Sequence, residues 1–193
     1  MTLILASSSA IRRQMLEKAG VIFEVAPANV DESAEKARHD NPASVATALA
    51  EAKALAVSAS RPGDWVIGSD SVASVGRRLF DKPRDRAEAA EHLRSFSGKE
   101  MRLTSAVALA RGGEVDWSFC DSARLQVRRL SESFIETYLD AEWPEVGYCV
   151  GVFRIEGKGV QLFDSVDGSF FTILGMPLLP LLGALRDRGA IEE

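Results

Sequence analysis

The chain has no apolar run approaching the roughly 20 residues that span a bilayer. Its start also lacks the charged leader and long apolar stretch of a signal peptide. The expectation is a cytoplasmic protein with no membrane partner. Cysteine is scarce: Cys120 and Cys149 are the only two. They lie far apart, and read as two reduced thiols more readily than as a disulfide framework. Positive charge is in deficit, with 23 Lys and Arg against 28 Asp and Glu, a formal net charge of −5. A nucleic acid polymer therefore meets no general attraction, and any anionic ligand has to be held by local basic groups. Also missing are a Walker loop, a dinucleotide fingerprint, an HExxH, a zinc-type cysteine spacing and a GxSxG. Internal repeats, low-complexity tracts and flexible linkers are absent too.

What is present suits an ordinary globular protein: 193 residues, 46% hydrophobic and 26% charged, enough for one large domain with a substantial core. The most informative stretch comes first. Leu3-Ile4-Leu5 reads as a strand buried on both faces. Ser7, Ser8 and Ser9 supply helix caps, and Ile11, Met15 and Ala19 set out one face of a helix stopped by Gly20. A strand, a tight turn and a helix N-terminus leave backbone donors at the sheet edge. Arg12 and Arg13 fall in that helix's first turn, where the dipole opposes a cation by about 0.3–1 kcal/mol. Either an anion sits there, or the arginines point into water or pair with carboxylates.

Val21–Val25 reads as a second strand, followed by the acidic pair Asp31-Glu32. That pair offers oxygen ligands to a divalent metal or a cap to the next helix. An alanine-rich helix is expected from Ser44 to Ser58, with Val45, Leu49, Ala52 and Ala56 as its buried stripe. Lys53 falls on the edge of that stripe, where it either snorkels along the core or carries its charge into a cleft. In Trp65–Val72, Gly68-Ser69-Asp70 follows a buried strand and delivers a carboxylate to its C-terminal end, where α/β sheets collect ligands. Because Val72 resumes the apolar pattern, Asp70 needs a partner, a metal or water, which makes it the leading catalytic candidate.

Further on, Pro83-Arg84-Asp85 opens a helix with Ala89, Leu93 and Phe96 inside, and Gly112-Gly113 joins two strands as a hairpin. Ser131 caps another helix, Val160–Phe163 reads as a strand, and Leu178, Leu181, Leu182 and Leu185 mark a buried C-terminal helix.

The ordered set Ser7-x-Ser9-x-x-Arg12, Asp31-Glu32, Lys53, Gly68-Ser69-Asp70, Lys82-Pro83, Ser97-Gly98-Lys99 and Asp167-Gly168…Gly175-Met176-Pro177-Leu178 resembles the Maf family of nucleoside triphosphate pyrophosphatases. The resemblance runs over nearly the whole chain. It implies an α/β fold, elongated and two-lobed, with a central mixed twisted sheet flanked by helices, akin to the inosine triphosphatase fold. The whole chain, 1–193, would be a single domain with its lobes around a cleft. It further implies hydrolysis at the α-phosphate to a nucleoside monophosphate and pyrophosphate, a house-cleaning role toward modified nucleotides, and a divalent cation (Mg²⁺, Mn²⁺ or Co²⁺). Asp70 matches the proton acceptor, and with Glu32 a metal-site residue. Ser7, Arg12, Lys53 and Lys82 match groups that hold the triphosphate. The sequence leaves the oligomeric state open, a homodimer included.

Three positions sort the family's branches, and here they are Ile11, Ser71 and Glu156. The dTTP/UTP branch has Arg, Thr and Gln there; the 7-methyl-GTP branch has Trp, Gln and Glu. Only Glu156 matches, and it matches the second. A carboxylate accepts from the N1–H and N2–H edge of guanine, whereas thymine offers one donor. Ile11 lacks the cation–π contact that tryptophan gives a methylated base, a loss of about 0.5–2 kcal/mol. The expectation leans toward guanine nucleotides. The alternatives are a dTTP/UTP enzyme, a broad inosine-triphosphatase-type enzyme, and a nucleotide-binding regulator of cell division.

Overall fold

The computed structural model describes residues 1–192. Its strands are β1 (Leu3–Leu5), β2 (Glu24–Val25), β3 (Trp65–Val75), β4 (Arg78–Phe80), β5 (Glu100–Arg111), β6 (Glu114–Val127) and β7 (Phe163–Asp167). Its helices are α1 (Ala10–Lys18), α2 (Glu32–Lys36), α3 (Pro42–Ser58), α4 (Arg86–Phe96), α5 (Glu132–Glu142), α6 (Phe170–Leu174) and α7 (Leu178–Asp187), with 3-10 turns at Glu145–Tyr148 and Lys158–Leu162. The strands form one sheet of order β2-β1-β3-β5-β6-β7, with β4 beside β3. The sheet is mixed: β1 runs parallel to β2 and β3, while β4 is antiparallel to β3 and β7 to β6. The protein is therefore a mixed α/β fold with a central sheet and flanking helices. Among the described residues, no helix is long and apolar enough to cross a membrane.

The chain divides into two compact units, residues 1–71, 104–121 and 170 onward in the first, 72–103 and 122–169 in the second. The first unit's core joins Leu3 and Leu5 of β1, Met15 and Leu16 of α1, Trp65 and Ile67 of β3, Val107 and Leu109 of β5, and Leu178, Leu181 and Leu185 of α7. In the second unit, Asp85 caps α4 by accepting from the Glu88 amide at 2.8 Å, so the helix begins at Arg86 rather than at Pro83.

Several expected details are displaced. Strand β2 keeps only Glu24 and Val25, because the Val21 amide closes the end of α1 by donating to Leu16 O at 3.0 Å. The Val160–Phe163 strand is instead a 3-10 turn leading into β7, and Gln161 O accepts from Arg128 Nε at 2.6 Å. Helix α1 buries Met15 and Leu16 and leaves Ala19 exposed as its C-cap. Helix α3 buries Ala46, Ala50 and Ala54 with Val45 and Leu49, while Ala52 is half-buried and Ala56 exposed. A helix so rich in alanine has no single strong apolar stripe. Its facing side is chosen by a groove on the sheet at Gly68, where an added Cβ would lie 2.0 Å from Ala50 O and 2.6 Å from the Ala54 amide.

Candidate functional site

Strand β1 stops at Leu5, paired with Ile67, while β3 runs on to Val75. Asp70 is thus in mid-strand, not at the end of β3 as expected; the carboxyl end it lies beyond is that of β1. Because β2 and β3 flank β1 and both run parallel to it, this is the switch point of the parallel part of the sheet, where open α/β sheets leave a crevice. Alternation along β3 puts Gly68 and Asp70 on one face and Ser69 and Ser71 on the other. Gly68 seats α3, and Lys53, between Ala50 and Ala54 on that helix, is thereby carried to Asp70.

The Lys53 ammonium lies 2.6 Å from Asp70 Oδ1 and 2.7 Å from Glu32 Oε1. Its side chain is 12% exposed and that of Asp70 11%, so the contact is shielded from water, whereas Glu32 at 46% reaches it from the surface. The acidic pair divides its work. Asp31 caps α2, Oδ1 accepting from the Ala34 and Ser33 amides at 3.1 Å each and from Ser33 Oγ at 2.9 Å, and the Ala34 bond foremost, then the Ser33 hydroxyl, holds its carboxyl below the usual carboxylate range. Glu32 goes to the lysine.

The two arginines at the head of α1 also divide. Arg13 pairs with Glu17 at 3.6 Å on the surface. Arg12 turns inward, donating from Nε to Gly175 O at 2.9 Å, from Nη2 to Ser71 Oγ at 3.0 Å and from Nη1 to Ser7 Oγ at 3.4 Å. Burial draws Arg12 below its ordinary pKa, while the negative charges of Asp70 and Glu32 oppose that shift. Ile11 beside it is half-buried. Ser9, the N-cap of α1, makes no side-chain capping bond.

Ser7, Ile11, Arg12, Glu32, Lys53, Asp70 and Ser71 all belong to the first unit; Lys82 and Glu156 belong to the second. There Lys82 is exposed ahead of buried Pro83. Glu156 occupies a turn, 37% exposed and 3.6 Å from Arg154 Nε. That turn is tightly built. A Cβ on Gly159 would come within 2.5 Å of Arg154 O, and Tyr138 donates to the carbonyl of Val152 at 3.1 Å, a β-branched residue held at φ 55. Cys149 senses both Glu156 and Lys82 electrostatically, and burial foremost pushes its thiol up to about 11. Cys149 and Cys120 are both free thiols.

Sequence reasoning passed over the polar groups behind Arg12. Ser69 Oγ lies 2.8 Å from Ala106 O and 3.2 Å from Gly175 O. Ser105 Oγ lies 2.8 Å from Ser71 Oγ and 2.8 Å from Thr172 O, and Thr172 Oγ1 donates to Asp121 at 2.6 Å. Ser105 and Thr172 are both fully buried. Their one legible signal was a hydroxyl inside an apolar run, which has to find a partner.

A parallel β2-β1-β3 unit with an arginine and a lysine gathered past the end of β1 defines an α/β protein with basic groups at the carboxyl end of its parallel strands. The Maf-like protein family profile matches residues 2–188, and the chain belongs to that family. It is 48% identical over 194 residues to a 7-methyl-GTP pyrophosphatase of Rhizobium etli, covering 98% of each chain. It is 47% identical over 192 residues to a nucleoside triphosphate pyrophosphatase of Paramagnetospirillum magneticum, covering 97% of this chain and 99% of that one. A solved structure of a nucleoside-triphosphatase / dITP/XTP pyrophosphatase from Mycobacterium abscessus is 18% identical, with TM-score 0.41 over 67% of this chain and 74% of that one.

Proposed function

We propose that this chain is a cytoplasmic nucleoside triphosphate pyrophosphatase, cleaving its substrate to a nucleoside monophosphate and pyrophosphate. The observation that carries the reading is the shielded Lys53–Asp70 contact beside an inward-turned Arg12, in a family whose relatives are named for this activity. Asp70 takes a proton from the attacking water as the new oxygen–phosphorus bond forms at the α-phosphate. The bond to the β-phosphate oxygen breaks, and pyrophosphate leaves with that electron pair. Arg12 and Lys53 oppose the charge gathering on the phosphates, with Ser7 and Lys82 holding the triphosphate chain.

The donor set suits a hard divalent cation. Two carboxylates converge on one ammonium at 2.6 and 2.7 Å, and an ion such as Mg²⁺ needs few protein ligands when phosphates supply others. Glu32 and Asp70 would hold Mg²⁺, Mn²⁺ or Co²⁺, whose chemistry there is neutralisation of phosphate charge. Among the described residues, no group of three or more His, Cys, Asp or Glu side chains forms a ready-made metal cage.

For the base, the reading leans to 7-methyl-GTP and other guanine nucleotides, with modified nucleotides as the natural target. Glu156 supports it, as does the 48% identity to a relative named for 7-methyl-GTP; Ile11 and Ser71 match neither branch, so a dTTP/UTP preference is the second reading.

The test is a pyrophosphate-release screen of canonical and modified triphosphates with each of the three cations, run beside Asp70→Asn. The expected outcome is a monophosphate plus pyrophosphate, with turnover abolished and triphosphate binding retained in the variant. A nucleoside diphosphate plus orthophosphate, or a near wild-type rate in Asp70→Asn, would overturn the reading. Tight nucleotide binding without turnover in the wild-type chain would favour a regulator instead.

A further inference from the structure

The resemblance assigns Ser71 to substrate selection, but its surroundings describe another task. Its hydroxyl lies 3.0 Å from Arg12 Nη2, 2.8 Å from Ser105 Oγ and 3.0 Å from Gly175 O. A hydroxyl carries one proton and two lone pairs. One lone pair accepts from Arg12, and the single proton goes to Ser105 or to the Gly175 carbonyl. Ser105 in turn can pass its own proton to Thr172 O at 2.8 Å. The bonds thus run in one direction, from the guanidinium into buried protein.

We propose that Ser71 is a positioning residue: it fixes the Arg12 guanidinium so that its outer edge faces the triphosphate, and it does not read the base. This rests on the pyrophosphatase reading above. A guanidinium has five N–H donors. Nε is spent on Gly175 O, one N–H of Nη2 on Ser71 and one N–H of Nη1 on Ser7, the last a long contact at 3.4 Å. One donor remains on each terminal nitrogen, available to phosphate oxygens.

The Gly175 carbonyl is the second anchor, reached by Arg12 Nε, Ser69 Oγ and Ser71 Oγ at 2.9, 3.2 and 3.0 Å. Gly175 holds φ +107, and a Cβ there would meet Ser71 Oγ at 3.2 Å. The Thr172–Asp121 bond ties down α6, the helix that leads into this glycine. Without Ser71, Arg12 keeps its charge and its Nε anchor but loses the bond that sets its rotation about that anchor.

The experiment uses the full chain and two readouts. The first is the dissociation constant for inorganic tripolyphosphate, which has no base. The second is kcat and KM for 7-methyl-GTP, GTP, UTP and dTTP. Ser71→Ala is expected to weaken tripolyphosphate binding about tenfold, the loss typical of one bond to a charged group. It should lower kcat/KM by a similar factor for all four nucleotides, leaving their ratios unchanged. Ser71→Thr, which keeps the hydroxyl, should stay within about threefold of wild type. In an Arg12→Lys background, Ser71→Ala should have no further effect, because the group it positions is gone. Should Ser71→Ala fail to fold, Ser71→Cys, close in shape but a weak acceptor, carries the same comparison.

A loss confined to one base, a full additive loss in the Arg12→Lys background, or tripolyphosphate binding equal to wild type overturns the positioning role while the function stands. A wild-type chain that neither binds tripolyphosphate nor releases pyrophosphate overturns the function itself, and the positioning role with it.

Discussion

Gly68→Ala should damage the fold and the site together, through one atom. The added Cβ would lie 2.0 Å from Ala50 O, 2.6 Å from the Ala54 amide and 2.9 Å from Ala54 Cβ. Two of these obstacles are helix backbone, which cannot swing aside as a side chain does. Opening the tightest contact from 2.0 to an ordinary 3.4 Å draws α3 off the sheet by about 1.4 Å. Overpacking of this kind costs about 1–3 kcal/mol and sometimes more, and a backbone clash belongs at the upper end. For a chain of this size, ~3 kcal/mol lowers Tm by about 6–12 °C. Lys53 moves with the helix, and its 2.6 Å contact with Asp70 opens towards 4 Å unless the lysine stem follows. A displacement of about 1 Å at a reacting centre can cost up to a hundredfold in rate. Thermal unfolding by tryptophan fluorescence and kcat/KM for the preferred nucleotide check both halves. Gly183→Ala is the control: nothing lies within 4 Å of its Cβ on α7, and alanine there should be neutral or stabilising by up to about 1 kcal/mol. A Gly68→Ala protein melting within 2 °C of wild type at unchanged kcat/KM would refute the seating of α3 on β3, and with it the account of how Lys53 is delivered.

Two other expectations concern the second unit. His92 is 7% exposed, edge-on to the Phe80 ring at 5.1 Å, and its Nδ1 has no partner among the described residues. Burial lowers its pKa, and Arg78 adds to that, against Glu88, Glu91 and Asp81. The folded state therefore resists a proton that the unfolded chain takes up near its ordinary pKa of about 6.5. Stability should be level above that pH and fall below it, by at most ~1.4 kcal/mol per pH unit from this one group. Urea unfolding at pH 7.5, 6.0 and 5.0 should show that slope flattened in His92→Phe, and parallel profiles would count against it. Glu156→Gln should weaken guanine-type substrates about tenfold to a hundredfold relative to UTP and dTTP, by leaving one polar group mispaired. If the kcat/KM ratios do not move, Glu156 is only the 3.6 Å partner of Arg154.

Elements announced by local chemistry could be read from the sequence. Gly112-Gly113 turns the β5–β6 hairpin with both glycines at positive φ, Ser131 caps α5 by accepting from the Phe134 amide at 3.2 Å, and Gly20 closes α1 at φ 73. Elements decided by distant packing could not. Val160–Leu162 is short, two apolar residues around Gln161, so nothing local separates a strand from a 3-10 turn; Arg128, remote in sequence, donates to Gln161 O and Leu162 O and holds the turn. The site divides along the same line. Asp70, Lys53, Glu32 and Arg12 are charges at telling places in the pattern and could be named one by one. Their pairing could not, because Asp31 and Glu32, or Arg12 and Arg13, are chemically alike and differ only in which way the fold turns them. Ser105 and Thr172 carry no charge and match no motif. Only the structure shows that they stand behind Arg12.

The pairing also bears on what the first unit can attract by itself. Arg12 and Lys53 stand against Glu32 and Asp70, two cations and two anions that sum to zero. A neutral cluster exerts little net pull on a triphosphate from a distance, and the chain's formal charge of −5 adds none. What the cluster offers is directional. Lys53 uses two of its three donors on carboxylates and has one left, and Arg12 keeps one on each terminal nitrogen. Two unit charges 4 Å apart near a protein surface interact by about 4 kcal/mol, so one added positive charge alters the balance substantially. In the function proposed here that charge comes from a divalent cation arriving with the nucleotide. Affinity for the bare triphosphate should therefore be modest and salt-sensitive, whereas the placement of the Arg12 and Lys53 donors is already set by the way β3, α1 and α3 pack.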